Sequence, residues 1–184
     1  AATEAGKKCK IHISSHVDPW DFRKKRFPAL YRPLRPGGDE LPISYQLHGR
    51  PESTWAGVIL WDGEGYAAAA NIDSGDHINC RATIPEDKNY HGNTPEFITL
   101  SGELRAIYAP GKTALLYRYK PGGLWHEIDT LETDAEFSFI GVMGKRWGGE
   151  NLDFDFTIQD GATPVSDGPR VVFLADLEEQ DVAV

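Results

Sequence analysis

The chain has 184 residues, 40% of them hydrophobic and 11% aromatic, which excludes a disordered polymer and allows one sizeable core in a single domain, residues 1–184. Its formal net charge is −9, no nucleic-acid recognition module is visible, and no run approaches the ~18 apolar residues of a membrane-spanning helix. Nineteen glycines and twelve prolines point to a β-rich domain with many short turns.

Residues 9–15 (CKIHISS) alternate and are predicted to open the fold as a strand. Residues 1–36 carry nine basic groups against three acidic ones, whereas the rest of the chain is strongly acidic. Such a cationic segment either steers the protein to an anionic surface or pairs with its own acidic body. The second is the reading adopted, because Arg23 to Arg26 sit among Trp20, Phe22 and Phe27. Prolines 19, 28, 33, 36 and 42 interrupt regular structure between residues 18 and 42. A short strand is predicted at 43–47.

Residues 54–61 and 65–71 read as two half-buried strands of a hairpin around Asp62-Gly63-Glu64, with Gly63 supplying left-handed turn geometry. Four successive alanines, 67–70, leave little bulk and mark a central strand beneath another layer. A strand at 78–84 precedes a polar loop at 87–93. Thr94-Pro95 resembles a helix start or a strand entry. Further strands are predicted at 103–108, 113–120, 124–128, 136–143, 152–158 and 170–174. The last long one, LDFDFTI, alternates strictly. The expected fold class is therefore all-β, an antiparallel β-sandwich with at most one or two short helices.

Asp73, Ser74, Asp76, His77 and Asn79 fall in one turn and the strand that leaves it. Short oxygen and nitrogen groups so spaced suit hydrogen bonds to sugar hydroxyls; calcium is an alternative ligand, and an ordinary polar turn is the structural alternative. Trp61, at a hairpin end, and Trp147, in Lys-Arg-Trp-Gly-Gly, are candidates to stack on a sugar ring. His12 and His16 would lie about 13 Å apart on a strand, too far for a shared metal. Asp153 and Asp155 share a strand face beside Glu150, but nothing completes a glycosidase pair around them. No nucleophile elbow occurs. The chain is read as a binding protein rather than an enzyme, with no cofactor expected.

The block WAGVILWDGEGYAAAANIDSGDHINCRAT, with KIHISS before it and TPEFITLSGELRAIYAPGKTALLY after it, resembles the actinoporin-like superfamily over residues 9–120. That superfamily takes in actinoporins, fungal fruiting-body lectins and thermostable direct haemolysins. The resemblance implies a β-sandwich that binds a glycan or a membrane headgroup without a cofactor, with pore formation as an alternative. Where the lectins carry a His-Asn-Tyr loop, this chain has Asp73-Ser74-Gly75. Residues 1–20 lack the helical apolar stripe that actinoporins insert. Residues 125–184 find no counterpart and read as an extension. An enzyme of sandwich or small-barrel type, acting on a polysaccharide or a small hydrophobic substrate, is the reading from a different class.

Cys9 and Cys80 either pair or stand as two buried thiols, depending on compartment. The one methionine is Met143, so the initiator is read as removed. Secreted and cytoplasmic locations both fit, with secretion slightly favoured, and self-association stays open.

Overall fold

A computed structural model describes residues 8–14, 29–74, 77–83, 89–93, 100–109, 114–120, 126–149, 151–159 and 170–172. Thirteen strands occur among them, and no helix. In chain order they are β1 (Lys8–Ile13), β2 (Ala29–Pro33), β3 (Asp39–Leu47), β4 (Thr54–Trp61), β5 (Ala67–Asp73), β6 (His77–Thr83) and β7 (Asn89–Asn93). They continue with β8 (Ser101–Tyr108), β9 (Ala114–Lys120), β10 (His126–Glu132), β11 (Phe139–Arg146), β12 (Leu152–Ile158) and β13 (Arg170–Val172). The strands form two antiparallel sheets. One has six strands in the order β1-β12-β3-β8-β9-β10, the other seven in the order β13-β2-β11-β4-β5-β6-β7.

The sheets pack face to face around one core. Leu41, Ile43 and Leu47 of β3, with Leu152, Phe154 and Phe156 of β12, meet Val58 and Leu60 of β4, Ala68 and Ala70 of β5, and Ile140 and Val142 of β11. Each of these sits on the inward side of a period-two alternation. The two sheets differ on their outer faces. β12 alternates buried and half-exposed residues along its length, so its sheet turns a polar face to solvent. β4 is buried at all eight positions. Its outward Ile59 and Trp61, with Ala29, Ala67, Ala69 and Met143, form a second apolar cluster behind the seven-stranded sheet. Strands 54–61 and 67–73 are therefore buried on both faces, which is why alternation is weak there.

Several elements depart from the sequence-based expectation. Residues 126–159 are no extension. β11 lies between β2 and β4, and β12 lies between β1 and β3, so this segment supplies interior strands to both sheets. The proline-rich stretch contains β2 and the first half of β3. Pro42 is accepted in β3 because it lies one residue beyond the last pair of the β12 ladder, Ile158–Ile43. The Pro42 carbonyl accepts the Gln159 N–H at 3.0 Å. Residues 89–93, expected as loop, pair with β6. The Thr94 segment lies outside the described residues, as do His16 and Glu150. Cys80 is a buried thiol on the inner face of β6 in one sheet, whereas Cys9 belongs to β1 in the other.

Candidate functional site

Strand register decides which polar residues share a neighbourhood. On the outer face of the seven-stranded sheet, Lys145 of β11 is opposite Trp55 of β4. Trp55 is opposite Asp73 of β5, and Asp73 is opposite His77 of β6. These four residues form one row across four strands. The next row inward runs Met143, Gly57, Asn71, Asn79. Opposed residues share a face and lie close enough for their side chains to interact. Gly57 carries no side chain because none fits: a Cβ would lie 2.0 Å from the Ala70 carbonyl oxygen. Asn71 is fully buried, and among the described residues neither of its amide atoms finds a hydrogen-bond partner. A buried amide in that state costs about 1–3 kcal/mol.

Three connections converge on the end of the sheet that carries this row. The Ser74 N–H donates to the Thr54 carbonyl at 2.8 Å, and the Ser53 N–H donates to Ser74 Oγ at 3.2 Å. Ser74 Oγ in turn lies 3.0 Å from Asp73 Oδ1. The Trp147 N–H donates to the Ser53 carbonyl at 3.0 Å. Ser53 and Ser74 both adopt positive φ, at 56° and 48°, an uncommon conformation for a residue with a side chain. At Gly149 (φ 61°) a Cβ would sit 2.5 Å from the Glu52 carbonyl oxygen, so glycine is required for the loop to close on the turn.

Aromatic rings and one cation finish the site. Trp55 and Trp147 meet edge to face, with centroids 5.4 Å apart. The Lys145 ammonium lies 4.5 Å from the Trp55 centroid and 4.6 Å from that of Trp147. Lys145 and Trp55 are buried, while Trp147 and His77 are half-exposed. His77 Nε2 lies 3.7 Å from Asp73 Oδ2, too long for a direct hydrogen bond. The row and the Trp147 loop beside it thus offer a partly exposed indole, a carboxylate and an imidazole along one edge, a combination suited to the apolar face and hydroxyls of a sugar.

The sequence-predicted residues divide accordingly. Asp73, Ser74, His77, Asn79 and Trp147 lie at this end of the sheet; Asp76 is outside the described residues. Trp61 is elsewhere. It lies six residues along β4 from Trp55, about 20 Å by strand rise. There it is 4% exposed, packed against Tyr31 and Phe139, so it presents no ring to a ligand. Sequence reasoning missed Trp55, Lys145 and Asn71, whose membership follows from register alone. Among the described residues no group of three metal-ligating side chains converges.

The paired aspartates of β12 form a second polar cluster, on the solvent face of the six-stranded sheet. Asp153 Oδ1 lies 2.7 Å from His12 Nδ1 and 3.1 Å from Lys10 Nζ. Asp155 Oδ2 lies 2.7 Å from His48 Nε2. The His12 hydrogen bond, joined by that of Lys10, holds the Asp153 carboxyl below its ordinary range. Each carboxylate is committed to a neighbouring strand.

No protein-family model matches the chain, and no curated protein matches it. Among solved structures, a functionally unknown protein from Saccharomyces cerevisiae is similar over 85% of this chain and 87% of its own, with 14% identity and a TM-score of 0.61. The GH43 BlXynB protein from Bacillus licheniformis is similar over 82% of this chain and 32% of its own (14% identity, TM-score 0.57). A xylan β-1,4-xylosidase from Bacillus halodurans C-125 is similar over 82% of this chain and 33% of its own (10% identity, TM-score 0.58). The chain therefore spans about a third of the length of these two bacterial proteins, and what it shares with all three is the fold.

These neighbours overturn the actinoporin-like resemblance. The resemblance rested on an apolar strand, an Asp-Gly turn and a small-residue strand. Any sandwich with a tight hairpin in a doubly covered sheet needs that pattern, so it recurs between unrelated sandwiches.

Proposed function

We propose that this chain works on polysaccharide, and that it engages the sugar chain at the Trp147–Asp73–His77 end of the seven-stranded sheet. The observation that carries the reading is the in-register row Lys145–Trp55–Asp73–His77, with the Trp147 ring meeting Trp55 edge to face beside it. Trp147 would lie against the apolar face of a pyranose, while Asp73 and His77 would take hydroxyls. Two structural neighbours, a GH43 protein and a xylan β-1,4-xylosidase, make xylan the first polymer to try.

Those neighbours also favour a second reading, in which the chain cleaves the polymer itself. Hydrolysis of a glycosidic bond generally needs two carboxyl groups flanking it. Among the described residues the row supplies one, Asp73. Recognition of the polymer is therefore the reading this site supports best.

Affinity electrophoresis through gels containing xylan, arabinan or cellulose, alongside release of reducing sugar, separates the two. Retardation without sugar release is expected. Sugar release that Asp73→Ala abolishes would establish the hydrolytic reading, and neither signal on any polymer would overturn both.

A further inference from the structure

Trp147 leaves the sheet in a loop containing two successive glycines, a segment with little stiffness of its own. Its ring nevertheless has a defined place. The indole of Trp55 holds one edge, and the buried Lys145 ammonium lies between the two rings at nearly equal distances. The loop backbone is tied to Ser53 by the Trp147 N–H. Arg146 ties it twice more, donating to the Ser14 carbonyl and to the Gly149 carbonyl, each at 2.7 Å. Backbone ties fix where the loop runs. They do not fix the indole's rotamer, which is set by what its faces touch.

We infer that Lys145 is a positioning residue for polysaccharide recognition: its ammonium, shared between Trp55 and Trp147, holds the Trp147 ring in the orientation that receives the sugar. This rests on the reading given above. A cation over an indole is attracted by the ring's negative face, and the attraction grows when the pair is desolvated, as Lys145 is. A neutral side chain of similar length would keep the packing and lose that attraction. The Trp147 ring would then sample other rotamers, and each binding event would have to order it again.

The test compares Lys145→Met, Lys145→Arg and the parent chain for retardation by xylan, with acrylamide quenching of tryptophan fluorescence read in the same samples. Lys145→Met is expected to weaken binding about tenfold and raise quenching of the Trp147 ring. Lys145→Arg, which keeps a cation able to stack on an indole, is expected to restore both. In a Trp147→Phe background, Lys145→Met is expected to have a smaller effect on binding, because a phenyl ring attracts the ammonium less than an indole does. Parent-like binding by Lys145→Met overturns the inference, as does an equal loss in the Trp147→Phe background. If Lys145→Met melts too low to assay, Trp55→Leu replaces it, since it removes the ring that fixes the ammonium; unchanged binding in that variant is equally fatal. A parent chain that no polymer retards overturns the recognition reading instead, while the quenching comparison still reports whether Lys145 orders Trp147.

Discussion

Arg32 of the seven-stranded sheet grips Asp39 of the six-stranded sheet with both guanidinium nitrogens, one of them 2.9 Å from Asp39 Oδ1. The Asp39 carboxylate is fully buried and also accepts the Arg35 N–H at 2.9 Å. Burial by itself would raise its pKa. The Arg32 hydrogen bond, the Arg35 backbone N–H and the two positive charges outweigh burial and hold it below 3.8. Removing one partner of such a pair strands the other, so Asp39→Ala is expected to cost about 3 kcal/mol, read by urea unfolding. Replacing both partners, in Arg32→Met with Asp39→Leu, is expected to cost less than either single change. A double variant as unstable as the sum of the singles would show that the pair is not acting as a unit.

The pH dependence follows from the direction of these shifts. Asp39 and Asp153 are both held below 3.8 in the folded chain. An acid whose folded pKa is depressed contributes stability that is fully present above its unfolded value and lost as pH falls through its folded value. The melting temperature is thus expected to be insensitive to these two groups above about pH 5, and to fall steeply below the unfolded value near 3.8. Asp153→Asn should flatten part of that acid limb and cost about 0.5–1 kcal/mol at neutral pH, because the Asp153 side chain is about one-third exposed. An acid limb unchanged in both Asp39 and Asp153 variants would contradict this assignment.

Gly57 sits where the polar rows cross β4. Its missing side chain lets the β5 backbone approach, and a methyl group there would meet the Ala70 carbonyl oxygen at 2.0 Å and Asn71 Cα at 2.8 Å. All of these contacts are backbone atoms of β5, which leaves little room to relax. Gly57→Ala is expected to destabilise the fold by about 3 kcal/mol and to displace Asn71. A stability within 0.5 kcal/mol of the parent, by order of magnitude for a harmless surface change, would mean the two strands separate easily there.

Trp147 and Trp61 should respond in opposite ways. Trp147 is half-exposed at the end of the sheet that carries Asp73 and His77, so Trp147→Ala is expected to abolish most retardation by xylan while costing about 1–2 kcal/mol of stability. Trp61 is buried against Tyr31 and Phe139. Trp61→Ala is expected to cost about 3–5 kcal/mol, with affinity unchanged in whatever fraction stays folded. The reverse pattern would move the ligand site to the other end of the sheet.

The sequence by itself determined the fold class and most of the strands. Period-two alternation is a local property, and 152–158 shows it plainly because one face of β12 meets water and the other meets the core. It also brought Asp73, Ser74 and His77 together, since a tight turn joins β5 to β6. Register was not local. Lys145 lies 72 residues from Asp73 in sequence yet only two strands away in the sheet, and only the pairing of β11 with β4 and of β4 with β5 puts them in one row. Burial was not local either. Trp61 and Trp147 both stand beside charged residues in the sequence, yet one is sealed behind the sheet and the other reaches its edge. The partners that decide burial are contributed by distant strands, so packing alone separates a core indole from one placed to meet a sugar.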